Sequence, residues 1–266
     1  MHTSFDHPAQ ANIIELTKVG QSYDGGQNWI IKDCDLLIED KPDQGQFVVI
    51  LGMSGSGKST ILRYIAGLQE PTTGDLRIQG KSIQEAPRVS MVFQQYSSLP
   101  WMTVLDNVSL ALRYQGVTKS EREDQARILI EKVGLSGQEH KYAQYPGLSG
   151  GQLQRVAIAR SLIANPSILL MDEPFGALDI RTRLNMQDLL TNIWREFQST
   201  IVFVTHDISE AVYLADDIYI LGKRPSRIAR HIPITLPIER SKAIKRSPEY
   251  TALVHEVEDA MMDIAM

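Results

Sequence analysis

A single cysteine, Cys34, in 266 residues leaves no partner for an intramolecular disulfide and too few thiolates for a multi-cysteine metal cluster. Long apolar runs are missing too. The longest, around Phe47–Leu51 and Ile168–Met171, fall far short of the ~20 residues that span a bilayer. Met1 to Gln10 contains two histidines, an aspartate and a proline, with no basic stretch leading into an apolar one, so no targeting leader is expected. Basic charge is not in excess: 27 Lys and Arg against 32 Asp and Glu give −5. Nucleic-acid binding, which uses a concentrated basic face, is therefore not expected. A hydrophobic share of 43% with 22% charged residues excludes global disorder. What remains is a soluble chain of a reducing compartment, one large domain or a domain with an inserted subdomain. If it works at a membrane, another component must hold it there.

Strand-like and helix-like patterns alternate, which points to an α/β domain with a largely parallel sheet. Phe47–Leu51 is a short, wholly apolar run of the kind buried on both faces; Ile168–Met171, Ile201–Val204 and Ile218–Leu221 repeat it. Ser59 to Gly67 reads as a helix with Ile61, Leu62 and Ile65 on one side. From about 97 to 161 the chain changes character. Helices are expected over Thr103–Gln115, Ser120–Val133 and Gln152–Ala164, as a helical subdomain inserted in the α/β core. Short β-type runs around Asp24-Gly25-Gly26 suggest an antiparallel β layer near Val19 to Leu37. Residues 1–11 are expected to form a mobile arm, and Pro248 onward an amphipathic helix.

The strongest chemical signal is Gly52-Met53-Ser54-Gly55-Ser56-Gly57-Lys58-Ser59-Thr60, a G-x-x-x-x-G-K-[ST] phosphate loop between a strand and a helix. Its glycines let several N–H groups face one phosphate, the helix N-terminus adds a favourable dipole, and Lys58 adds a full charge. Ser59 is suited to ligate Mg²⁺. An acidic pair, Asp172-Glu173, closes the Ile168–Met171 strand: Asp172 suits Mg²⁺, and Glu173 could reach an attacking water or simply cap a helix. His206 ends the next strand, on the ligand side of an open α/β sheet, where it could sense a γ-phosphate. Ser149-Gly150-Gly151-Gln152 reads either as a plain helix cap or as a second anion-binding helix N-terminus. One nucleotide needs only one phosphate cradle, so the second reading implies ATP shared between two subunits.

Together these motifs resemble the ATP-binding-cassette transporter ATPases, from about Ile14 to the end of the chain and in that family's order. The resemblance identifies Gly52–Thr60 as Walker A, Leu148–Gln152 as the signature motif, Leu169–Glu173 as Walker B, Gly176–Asp179 as the D-loop and His206 as the switch histidine. It implies that Gln94 is the Q-loop glutamine that ligates Mg²⁺ and that Tyr23 stacks on adenine. It also implies a head-to-tail pair of subunits, with ATP held by Walker A of one and Ser149, Gly150, Gly151 and Gln152 of the other. Closure on ATP would drive separate transmembrane permease subunits, met near Gln94–Trp101, and hydrolysis through Glu173 would reset them.

Within the family, the segments 99–108, 174–179 and 224–228 are similar to those of nitrate, sulfonate and taurine importers. These work at the cytoplasmic face of the membrane with a substrate-binding protein acting indirectly. The implied division is an ATPase domain over 12–239 and a helical tail over 240–266, with no further regulatory domain. Three departures stand out: an acidic, lengthened turn over 38–46, Gln46 where glutamate is common, and Leu153 where a charged residue is usual. An ABC ATPase of another transport system, or a soluble ABC-type ATPase outside transport, is the competing reading.

Overall fold

Period-two alternation in β3 (Phe47–Gly52) sends Phe47, Val49 and Leu51 to one face of a sheet and Val48 and Ile50 to the other, and both faces are buried. That double burial requires a layer on each side. The computed structural model, which describes residues 12–41, 45–87, 89–95 and 97–265, supplies both. The expected arm over 1–11 and residues 42–44 of the acidic turn lie outside the described residues.

On one side lies an antiparallel sheet. β1 (Asn12–Ser22) and β2 (Trp29–Glu39) form its hairpin, and β4 (Thr73–Ile78) and β5 (Lys81–Ser82) extend it in the order β2-β1-β4-β5. Helix α1 (Lys58–Ile65) belongs to the same core, with Ile61, Leu62 and Ile65 wholly buried against it. The Tyr64 hydroxyl donates to Gln21 Oε1 at 2.6 Å, tying α1 to β1. Burial pushes that phenol's pKa up, so it stays a neutral donor.

The central sheet has the order β10-β9-β3-β8-β7-β6. Its strands are β6 (Ser90–Val92), β7 (Ile168–Asp172), β8 (Thr200–Thr205), β9 (Asp217–Leu221) and β10 (Ile228–Pro233) around β3, and only β10 runs antiparallel. Between β6 and β7 come α2 (Val104–Tyr114), α3 (Lys119–Lys132) and α4 (Gly150–Leu162), within two residues of the helices expected from sequence. α5 (Ile180–Phe197), α6 (Ile208–Leu214) and α7 (Pro248–Ala265) complete the chain. α7 is the expected amphipathic tail, burying Tyr250, Val257 and Ala260 in the second core.

The α/β class with a parallel sheet, an antiparallel layer and inserted helices is thus borne out. Leu153 explains itself as a core residue, 3% exposed among the helices. Gln46 is also buried, its amide donating to the Glu39 carbonyl at 2.6 Å.

Phe203 on β8 sits between Phe47 and Phe175, with ring centroids 5.8 and 5.6 Å away, on the face of the sheet that β3 shares through Phe47 and Val49. We expect Phe203→Ala to lower unfolding free energy by about 3–5 kcal/mol in a urea titration. A loss under about 1 kcal/mol would mean that this cluster does not hold the sheet's second face.

Candidate nucleotide site

Register decides which residues meet. Leu51 pairs with Thr205, Val204 with Asp172, and Met171 with Val92 across adjacent parallel strands. The phosphate loop, His206, the Asp172-Glu173 pair and Gln94 therefore leave β3, β8, β7 and β6 at one level, on the carboxyl edge of the sheet. That edge is where open α/β sheets bind ligands.

The loop's form follows from its glycines. Gly55 and Gly57 have φ of 75° and 98°, left-handed values that favour glycine. Gly57 is the N-cap of α1 and has no side chain to cap it, and no acidic residue lies in the first turn. The first N–H groups of α1 thus have no intrahelical acceptor and face the loop's concavity. Lys58, 5% exposed, folds under the loop and donates to the Gly52 and Met53 carbonyls, each at 3.0 Å. Ser56 Oγ is buried in the same loop without a hydrogen-bond partner among the described residues.

Two side chains from distant parts of the sequence close on Lys58, Glu173 directly and His206 through Glu173. The Lys58 Nζ lies 3.5 Å from Glu173 Oε1, and Glu173 Oε2 lies 3.0 Å from His206 Nδ1. Glu173 has φ of 42°, a strained backbone value for a non-glycine residue, of the kind held by surrounding structure at functional sites. Its N–H is fixed by the Val204 carbonyl at 3.0 Å. A cap role is excluded, because the next helix begins at Ile180 and is capped by Asp179, which accepts from the Thr182 N–H.

Ser59 Oγ donates to Asp172 Oδ1 at 2.8 Å. Burial pushes the Asp172 carboxyl's pKa up, and the Glu173 charge beside it adds to that, against the Ser59 hydrogen bond, which lowers it. A hydroxyl and a partly desolvated carboxylate in contact suit a hard cation that also binds phosphate oxygens. Among the described residues no group of three or more His, Cys, Asp or Glu converges to hold a metal by itself.

Other expected site residues stand apart. Tyr23 is 63% exposed in the β1–β2 turn, and its hydroxyl accepts from Gln69 Nε2 at 3.0 Å. Gln94 is exposed just past β6. Ser149 caps α4 in a reciprocal box: its Oγ accepts from Gln152 N–H at 3.3 Å, and Gln152 Oε1 accepts from Ser149 N–H at 2.9 Å. No hydrogen bond or ion pair among the described residues links Ser149–Gln152 to Lys58, Asp172, Glu173 or His206. Trp101, 70% exposed, is not a core aromatic.

The sequence profile of the ABC transporter family matches residues 38–176. The chain belongs to the ABC transporter family. As an ABC cassette it binds ATP and is an ATPase. The nitrate import ATP-binding protein NrtD of Synechocystis sp. is 43% identical over 254 residues, with 92% of this chain and 93% of that protein covered. The taurine import ATP-binding protein TauB of Escherichia coli is 41% identical over 236 residues, covering 86% and 90%. The dimeric, post-hydrolysis structure of the ATP-binding cassette MJ0796 bound to ADP and Pi superposes with a TM-score of 0.70 at 33% identity, over 84% of this chain and 100% of that one.

Two contacts at this ABC site were not read from sequence. Arg224 Nε donates to the Gly55 carbonyl at 2.6 Å, and Thr205 Oγ donates to the buried Glu210 Oε2 at 2.6 Å. Arg224 is 169 residues from Gly55, so no local pattern could have signalled it.

Asp172→Asn separates the site's cost from its use. The folded chain holds the Asp172 proton more tightly than the unfolded one, so this group's contribution to stability is full below about pH 4 and is lost as pH rises through the raised value. At neutral pH the amide avoids that loss and still accepts from Ser59. We expect the nucleotide-free variant to melt about 1–4 °C higher than wild type at pH 7 and to lose ATP hydrolysis. A lower melting temperature at pH 7 would contradict the burial argument.

Proposed function

We propose that this chain powers import of a small anion of the nitrate, sulfonate or taurine kind, docked on separate permease subunits at the cytoplasmic face of the membrane. The observation that carries the ATPase chemistry is the convergence of Lys58, Glu173 and His206 beside a phosphate loop. Support for the anion class comes from relatives named for nitrate and taurine import. No helix among the described residues is long and apolar enough to cross a membrane, so docking falls to other subunits.

In this reading the N–H groups of Gly55–Thr60 and the Lys58 ammonium hold the β and γ phosphates, and Gly52 and Ser54 shape the loop around them. Ser59, Asp172 and Gln94 hold Mg²⁺, which would offset phosphate charge. Glu173 takes the proton of the attacking water. His206, with Nδ1 turned to Glu173, presents the other edge of its ring to the γ-phosphate. Tyr23 stacks on adenine, its ring steadied by Gln69. The capping box of Ser149 and Gln152, with Gly150 and Gly151, points α4's N-terminus at the nucleotide of a second ATPase subunit, in a dimer like the cassette structure above. The exposed Trp101 and Phe93 beside Gln94 form the permease contact, and the substrate-binding protein acts only through that permease. The ATPase domain spans 12–239, with its helical subdomain over 97–161, and the tail runs over 240–266.

Glu173→Gln tests the assignment. An amide keeps the shape of the carboxylate but cannot take a proton, so turnover should fall about a hundredfold or more while ATP affinity persists. Wild-type turnover in the purified variant would remove Glu173 from the chemistry.

A further inference from the structure

The turn between β9 and β10 bears no assigned role, yet it lies against the phosphate loop. Its backbone is anchored to β2: Ser226 N–H donates to the Ile30 carbonyl at 2.8 Å, and Lys32 N–H to the Ser226 carbonyl at 3.1 Å. Gly222 N–H closes the turn on the Arg227 carbonyl at 3.0 Å. From this fixed base Arg224 reaches over, and its Nε donates to the Gly55 carbonyl at 2.6 Å. Its guanidinium lies so close that a Cβ at Gly55 would stand 3.3 Å from Nη2.

The geometry points to Arg224 as a positioning residue that sets the orientation of the Gly55–Ser56 peptide in the phosphate loop. That peptide is trans, so its C=O and N–H point in opposite directions. Holding the Gly55 oxygen on the Arg224 side turns the Ser56 N–H to the other side, into the loop, where it donates to the Met53 carbonyl at 3.2 Å. The Arg224 and Met53 hydrogen bonds hold the two ends of this peptide together against the flip that glycine's freedom would allow, which would present a carbonyl to the phosphate instead. Arg224 therefore acts on ATP affinity through the loop and not by touching the nucleotide.

This inference rests on the phosphate-loop reading, and the test keeps the two apart. Glutamine carries its amide nitrogen at the same point of the side chain as arginine's Nε, so Arg224→Gln preserves the donor and removes the charge. Arg224→Lys keeps the charge but moves the nitrogen one atom outward. Mg-ATP affinity, kcat, KM and melting temperature would be measured on the purified full chain for Arg224→Ala, →Gln and →Lys, with Lys58→Ala alongside. We expect Arg224→Ala to weaken ATP binding roughly fivefold, the scale of one lost hydrogen bond, with KM raised and kcat little changed. Arg224→Gln should restore most of the affinity, and the melting temperature should hold for all three, because the turn's backbone anchors remain. Unchanged affinity in Arg224→Ala overturns the inference. So does loss in Arg224→Gln with full recovery in Arg224→Lys, which would place the charge on the nucleotide itself. A lowered melting temperature in Arg224→Ala that accounts for the affinity loss also overturns it. If Lys58→Ala binds ATP like wild type, the phosphate-loop reading fails first.

Discussion

The shared register of β3, β8, β7 and β6 is the constraint on which the site depends. Leu51 opposite Thr205, Asp172 opposite Val204 and Val92 opposite Met171 set four chain segments, far apart in sequence, at one height above the sheet. A slip of one residue in β7 would turn Asp172 and Glu173 to opposite faces and break both the Ser59 hydrogen bond and the Lys58 ion pair. The register is in turn fixed by burial on both faces, since every residue of β3, β7 and β8 is buried. The two cores thus do more than stabilise: they hold a strained Glu173 between a lysine and a histidine.

The histidine end of this edge has its own support. Glu210 is buried, and burial raises its carboxyl pKa; it accepts from Thr205 Oγ and from Gln187 Nε2 at 3.1 Å. Thr205 Oγ also accepts from the Asp207 N–H at 3.1 Å, so the backbone on both sides of His206 is held from below. Lys245, from the tail, donates to Gln187 Oε1 at 2.6 Å and lies 4.0 Å over the Tyr213 ring. The tail is thereby joined to the strand that ends at the histidine.

Much of this was legible in the sequence because the decisive signals are local. An apolar run ending in Gly52-Met53-Ser54-Gly55-Ser56-Gly57-Lys58 states strand, turn and helix in one stretch, and the three inserted helices are punctuated by Gly116, Gly134 and Gly147. β4 and β5 were not legible: β4 is Thr-Gly-Asp-Leu-Arg-Ile with only Leu76 and Ile78 buried, and its pairing with β1 is set by tertiary contact. α5 was missed because its buried Met186, Leu190, Ile193 and Trp194 are interleaved with buried Gln187 and Thr191, which blurs the apolar stripe. At the site, residue types announced Lys58, Asp172 and Glu173. The Arg224–Gly55 contact needed the folded β9–β10 turn to become visible.

We propose that one nucleotide is shared between Walker A of one subunit and the capped N-terminus of α4 in another. Among the described residues of the single chain these two features make no hydrogen bond or ion pair with each other, and Ser149 is exposed. Ser149→Arg puts a bulky cation at that cap and leaves the phosphate loop and Tyr23 untouched. The direct measurement is ATP affinity of the isolated subunit together with its ATP-dependent dimerisation by light scattering, in a hydrolysis-blocked Glu173→Gln background. Near wild-type affinity and no ATP-driven dimer are expected. An ATP-dependent dimer of normal stability in Ser149→Arg would contradict it and leave Leu148–Gln152 as no more than a helix cap.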